Sequence, residues 1–85
     1  MRDLDTLRKE IDKLDEGIAE LLLARFALVR EIGEVKKKEG LPITNAGREE
    51  VVIERARSHA EIPSEKDALE KIYRAIIQAA KDLER

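Results

Sequence analysis

Two cations stand out on the first helical segment of the sequence. Arg25 lies inside the stretch AELLLARFALVREI, which is otherwise typical of a buried helix, and Lys36 follows eleven residues later. Eleven residues make three turns of an α-helix, so both side chains point nearly the same way, about 16 Å apart along the axis. Val29, Ile32 and Gly33 line the space between them. A cation at each end of an apolar floor predicts a pocket for a small dianion.

Two further cations and a carboxylate extend this cluster. Arg48 and Glu49 open the second helical segment, where the amides of a helix N-terminus also favour negative charge. Arg8 lies seventeen residues before Arg25, about 25 Å away on a straight helix, and cannot reach the same pocket within one chain. It can reach the pocket of a second copy if two long helices cross antiparallel near Ile18. A shared site would therefore require a dimer.

A heptad pattern defines the helix that carries these residues. With Leu4 at position a, every seam position up to Val35 is apolar except Arg25. The pattern predicts one helix over about 3–39, roughly 55 Å long, that ends before the Gly and Pro of the loop GLPITN. Arg25 on this seam has a structural interpretation as well, since a polar residue at such a position can set register or oligomeric state.

Two shorter helices follow the loop. Asn45 is a suitable N-cap for a second helix over about 46–59. Ser64 and Asp67 match a capping box, which predicts a third helix over about 65–85. The apolar face of this third helix is predicted at Leu69, Ile72, Ile76, Ala79 or Ala80, and Leu83.

The relative lengths of the helices predict an assembly. Two short helices can fold back along the long one but hardly cover all sides of its apolar stripe, so its N-terminal half should pack against a second copy. The predicted fold is all-α, a single domain over 1–85 with one very long and two shorter helices. We expect it to form an intertwined antiparallel homodimer.

Composition argues against several functional classes. The 85 residues include no cysteine, which excludes disulfides and thiolate chemistry. Basic and acidic residues nearly cancel, with a net charge of -2, and only two residues are aromatic, so a nucleic-acid interface is not expected. No stretch approaches the about 18 apolar residues of a membrane span. We expect a cytoplasmic protein without a membrane partner.

The motifs together resemble those of a known enzyme family, the all-helical AroQ-class chorismate mutases. The resemblance rests on the order and spacing of LRKEID (7–12), the isolated Arg25, IGEVK (32–36), LPI (41–43), REE (48–50) and the closing IYRAIIQAAKDLE. It implies an intertwined helical dimer with two equivalent active sites, each taking one arginine from the other subunit. It implies rearrangement of chorismate to prephenate, a step toward phenylalanine and tyrosine. This reaction is pericyclic, so no metal or other cofactor is expected.

The resemblance also implies a role for each matching residue. Arg25 and the partner's Arg8 would grip the two substrate carboxylates, for which the planar fork of arginine is suited. Lys36 would contact a carboxylate and the ether oxygen, where negative charge grows. Glu49 would accept a hydrogen bond from the ring hydroxyl, and Arg48 would support the same end of the site. The apolar wall would consist of Val29, Ile32 and Ile77.

Three positions differ from the best-known bacterial pattern. Asn45 replaces an Asp, Ala80 replaces a Ser that contacts a carboxylate, and Glu84 replaces a Gln that donates to the ether oxygen. An ionised carboxylate only accepts hydrogen bonds, so Glu84 can assist only if a closed site keeps it protonated. Activity should then fall as pH rises. Alternatively, Glu84 extends into solvent near the C-terminus and has no role.

Two other functions remain open on the sequence. Isochorismate-pyruvate lyases share the helical dimer and the cationic pocket and act on a nearly identical dianion. A helical dimerisation or regulatory module would need Arg25 only for register, but it leaves the remaining charged pattern unexplained. Docking of another shikimate-pathway enzyme on the dimer also stays open.

Overall fold

A computed structural model describes residues 2–85, which form three α-helices. These are α1 (Leu4–Glu39), α2 (Ala46–Ser58) and α3 (Pro63–Glu84). No β-strand occurs among the described residues. The predicted all-α fold, with one very long helix and two shorter ones, is confirmed.

Both ends of α1 have sequence-specific caps. The Asp3 carboxylate accepts a hydrogen bond from the Thr6 amide at 2.8 Å, which satisfies an otherwise free donor of the first turn. The same bond from the Thr6 backbone lowers the pKa of Asp3 below its ordinary value. At the other end Gly40 adopts φ 69°, a left-handed conformation that glycine takes without steric strain. The 36 residues of α1 span about 54 Å, which sets the molecule's longest dimension of 56 Å.

The second helix begins as the sequence indicates. The Asn45 side chain accepts a hydrogen bond from the Arg48 amide at 3.1 Å, so the predicted N-cap is confirmed. The helix ends at Ser58, and His59 is its C-cap. The predicted range is therefore correct to within one residue.

The start of α3 differs from the prediction. The helix begins at Pro63, with Ile62 at the N-cap and no side-chain cap, so the capping box of Ser64 and Asp67 is wrong. Proline suits the first helical position because its φ is already helical and it has no N–H to satisfy. The Asp67 carboxylate instead accepts a hydrogen bond from Arg57 at 3.0 Å and ties α3 to α2.

Helix α3 packs against both α1 and α2 and provides most of the contact between elements. Its buried residues are Ile77, Ala80 and Glu84, of which only Ala80 belongs to the predicted apolar face. The other members of that face are half-buried, except Ile72, which is 54% exposed. The sequence left open whether Glu84 lies in a closed site or extends into solvent, and burial of a charged group is costly unless it is paired. The pairing described below removes that cost. The other buried residues among residues 2–85 are Val29, Gly33, Ile53 and Ala56.

The heptad seam of α1 is not covered by α2 or α3. Its large apolar side chains are between 48 and 74% exposed: Leu4, Ile11, Leu14, Ile18, Leu21, Leu28, Ile32 and Val35. A continuous apolar surface of this kind is typical of an interface. The antiparallel homodimer stays a prediction. No helix among residues 2–85 combines the length and the apolar character needed to cross a membrane.

Candidate active site

A cavity of about 450 Å³ lies among all three helices and the loop that precedes α2. This volume is within the range of sites for small molecules. Every predicted site residue except Arg8 lines it: Arg25, Val29, Ile32, Lys36, Asn45, Arg48, Glu49, Ile77, Ala80 and Glu84. Four further residues line the cavity that were not predicted as site residues: Leu28, Ile43, Val52 and Lys81.

The first wall of the cavity is the C-terminal half of α1. Arg25, Val29 and Lys36 recur at helical spacing on the side that faces α3, and Ile32 lies beside them. The Nη1 atom of Arg25 is buried and has no hydrogen-bond partner within residues 2–85. An unsatisfied buried donor lowers the stability of the fold by about 1–3 kcal/mol. A hydrogen-bond acceptor that enters the cavity and contacts this guanidinium would remove that penalty.

Lys36 and Glu84 form an ion pair across the α1–α3 contact. The Lys36 Nζ lies 2.7 Å from Glu84 Oε1 and also donates to the Ile43 carbonyl at 2.7 Å. Only 7% of the Glu84 side chain is exposed. The structure therefore places Glu84 in the cavity wall, against the alternative that it extends into solvent.

Gly33 allows this contact by its lack of a side chain. A Cβ atom built on Gly33 would lie 3.1 Å from both the Cα and the carbonyl oxygen of Glu84. Because these are backbone atoms, the last turn of α3 can approach α1 this closely only where α1 has a glycine. The close approach brings the Glu84 carboxyl within reach of Lys36.

A second ion pair joins α2 to α3 at the cavity. The Lys81 Nζ lies 3.3 Å from Glu49 Oε1, with 19% of the lysine and 26% of the glutamate side chain exposed. Sequence reasoning missed Lys81, although a usable signal existed. It follows Ile77 by four residues and precedes Glu84 by three, so it shares their helix face.

The charges around the cavity are suited to a dianion. Four cations (Arg25, Lys36, Arg48 and Lys81) and two carboxyl groups (Glu49 and Glu84) line it, an excess of two positive charges when both carboxyl groups are ionised. Each carboxylate is paired with a lysine. Among the described residues the two arginines form no ion pair, so two guanidinium forks remain for an incoming ligand.

Arg8 lies outside the cavity, on the exposed N-terminal half of α1. About 25 Å of helix separates it from Arg25, as the sequence indicated. No group of three or more His, Cys, Asp or Glu side chains that could hold a metal ion occurs within residues 2–85.

Comparison with known proteins gives a consistent result. A model of the family described as chorismate mutase type II matches residues 7–85. The chain is 43% identical to part of the bifunctional chorismate mutase/prephenate dehydratase of Aquifex aeolicus, an alignment that covers 100% of this chain and 25% of that protein. It is 37% identical to a T-protein of Enterobacter agglomerans, covering 89% of this chain and 21% of that one. The chain thus spans a quarter or less of the length of these two curated relatives.

A solved structure agrees over nearly the whole chain. The chorismate mutase (form II) of Thermus thermophilus superimposes with a TM-score of 0.88 at 33% identity, covering 95% of this chain and 92% of that one. Its match includes all three helices and therefore the elements that surround the cavity. The chain belongs to the chorismate mutase type II family.

Proposed function

We propose that this protein converts chorismate to prephenate in the cavity between its three helices. The observation that carries the proposal is the excess of two positive charges around a cavity of about 450 Å³, since chorismate is a compact dianion. The family membership and the names of the relatives support the same reaction. Because the rearrangement is pericyclic, the protein must hold the substrate in a reactive shape and stabilise developing charge.

Binding of the two carboxylates is assigned to arginines. The buried Nη1 of Arg25 lacks a partner, and a substrate carboxylate would satisfy it with a charge-assisted hydrogen bond. The second carboxylate would be held by the partner's Arg8, with Arg48 supporting the hydroxyl end of the site. Glu49 would accept the hydrogen bond of the ring hydroxyl at that end. Val29, Ile32 and Ile77 would contact the carbon skeleton.

Stabilisation of the ether oxygen is assigned to Lys36 and Glu84. Lys36 is a point charge next to the position where negative charge develops as the bond breaks. In the free protein its ammonium contacts Glu84, so the substrate must share this lysine with the carboxyl group. Glu84 can donate to the oxygen only when it carries a proton. The contact with Lys36 favours the ionised carboxylate in the free protein, so a faster turnover at acidic than at neutral pH would support the donor role.

The site is completed by dimerisation in this proposal. The exposed apolar seam of α1 supplies the surface for a second copy, and an antiparallel crossing near Ile18 would bring one subunit's Arg8 to the other's cavity. Association with another shikimate-pathway enzyme is a further part of the proposal. The Aquifex aeolicus relative supports it, because its name joins chorismate mutase to prephenate dehydratase.

The test is to incubate the purified protein with chorismate and identify the product at several pH values. Prephenate, formed faster at acidic pH, is the expected result. If chorismate is not consumed at any pH, the mutase proposal is wrong, and isochorismate tests the lyase next. Release of pyruvate from isochorismate would then reassign the site to elimination chemistry.

A further inference from the structure

Lys81 is the one cation lining the cavity to which neither the sequence analysis nor the proposed reaction assigns a role. It lies on α3, yet its ammonium faces the α2 carboxylate of Glu49 at 3.3 Å. Both side chains are partly buried, so water screens their attraction less than it would screen a surface pair. This contact crosses between two helices and therefore depends on the tertiary structure.

We infer that Lys81 is a positioning residue that holds the Glu49 carboxylate toward the substrate hydroxyl and thereby sets selectivity for a hydroxylated dianion. The inference rests on the proposed function, since the hydroxyl belongs to the proposed substrate. A carboxylate has two oxygens, so Glu49 can contact Lys81 through one and still accept a hydrogen bond from the substrate hydroxyl through the other.

The structure contains an alternative space into which Glu49 could turn. A second cavity of about 190 Å³ shares Glu49, Ile77 and Lys81 with the first, so the ion pair forms part of the wall between the two. Arg74 lines this second cavity and is a competing positive charge, although its guanidinium already donates to Glu70 at 2.9 Å. Without the ammonium of Lys81, the flexible Glu49 side chain is free to rotate toward Arg74 and away from the substrate.

The ion pair also reduces the repulsion between Glu49 and a negatively charged substrate. A carboxylate without a counter-charge beside a dianion would be repelled by it, and this repulsion is strong in a partly buried site. Lys81 neutralises Glu49, so the glutamate can recognise a hydroxyl without weakening the binding of two negative charges.

The test compares Lys81→Met, which keeps the apolar stem of the side chain but removes the charged end, with Lys81→Arg, which keeps the charge. Lys71→Met is the matched control, because Lys71 is an exposed lysine on the same helix outside both cavities. Two quantities are measured for each variant. One is kcat and KM for chorismate, and the other is the inhibition constant of a chorismate analogue with hydrogen in place of the ring hydroxyl.

We expect Lys81→Met to raise KM for chorismate about tenfold while kcat changes less than about twofold, because a charged hydrogen-bond acceptor is lost from substrate binding. The analogue has no hydroxyl, so its inhibition constant should rise several-fold less. Lys81→Arg should restore most of the affinity, and Lys71→Met should match the wild type. Unchanged melting temperatures would show that the variants are folded.

Three outcomes would overturn the inference. Equal losses for chorismate and the analogue would mean that Lys81 acts only through the charge of the site and does not hold Glu49 toward the hydroxyl. A wild-type KM in Lys81→Met would mean that Glu49 needs no support. If wild-type protein does not convert chorismate at all, the proposed function fails and the inference fails with it, a result that differs from both others.

Discussion

Replacement of Gly33 by alanine tests whether the close approach of α1 and α3 builds the site. The added Cβ would lie 3.1 Å from two backbone atoms of Glu84, several tenths of an ångström inside an ordinary contact. Backbone atoms at a helix crossing cannot rotate away, so the last turn of α3 must shift outward. The 2.7 Å contact between Lys36 and Glu84 would lengthen with it.

Two opposing terms set the expected stability. Alanine in place of glycine within a helix stabilises by about 1 kcal/mol, while an extra methyl group in a packed contact costs about 1–3 kcal/mol. The free energy of unfolding should therefore be unchanged or fall by up to about 2 kcal/mol. Turnover should fall on the order of tenfold, because a displacement of 1 Å in an active site can cost about a hundredfold.

The assay combines urea unfolding with chorismate turnover, and Gly17→Ala is the matched control. Gly17 lies in the same helix, and a Cβ there meets nothing within 4 Å in the chain. This control should gain about 1 kcal/mol and keep its turnover. Size-exclusion chromatography verifies that both variants keep the wild-type oligomeric state. If Gly33→Ala behaves like Gly17→Ala in stability and turnover, the glycine is not what positions Glu84, and the reasoning is refuted.

Three further predictions follow from the cavity. Arg25→Leu should raise the free energy of unfolding by about 1–3 kcal/mol, because it removes a buried donor that has no partner among the described residues. It should also lower turnover at least a hundredfold, roughly the effect of losing an electrostatic contact to the transition state. If turnover is retained, Arg25 serves only to set the helix register. Glu84→Gln should make turnover independent of pH from mildly acidic to neutral solution, because an amide donates a hydrogen bond at every pH. If the turnover of the wild type is already independent of pH over this range, a proton on Glu84 has no part in the mechanism. Mixed Arg8→Ala and Arg25→Ala proteins should regain about a quarter of wild-type activity, since half the dimers combine both chains and each carries one intact site; no recovery after subunit exchange would contradict a shared site.

The helices and their caps are features that local sequence determines. The heptad repeat predicted α1 to within a residue, and Asn45 marked the start of α2, because capping and periodicity depend only on residues within a turn or two. Arg25 and Lys36 could be assigned to one pocket for the same reason, since three helical turns bring them to one face. The start of α3 was misjudged because Ser64 and Asp67 allow two local solutions, and the pairing of Asp67 with Arg57 on α2 is not local.

The contacts between helices were decided by the tertiary structure alone. Whether Glu84 faces solvent or Lys36 depends on how α3 is rotated about its axis and how closely it crosses α1 at Gly33. Burial of Glu84 contradicts its local character and is stable only because a cation lies opposite. Lys81 likewise acquires a role only through Glu49 on another helix. A single helix determines which residues share a face, but the rotation and distance between helices determine which charges meet across a cavity.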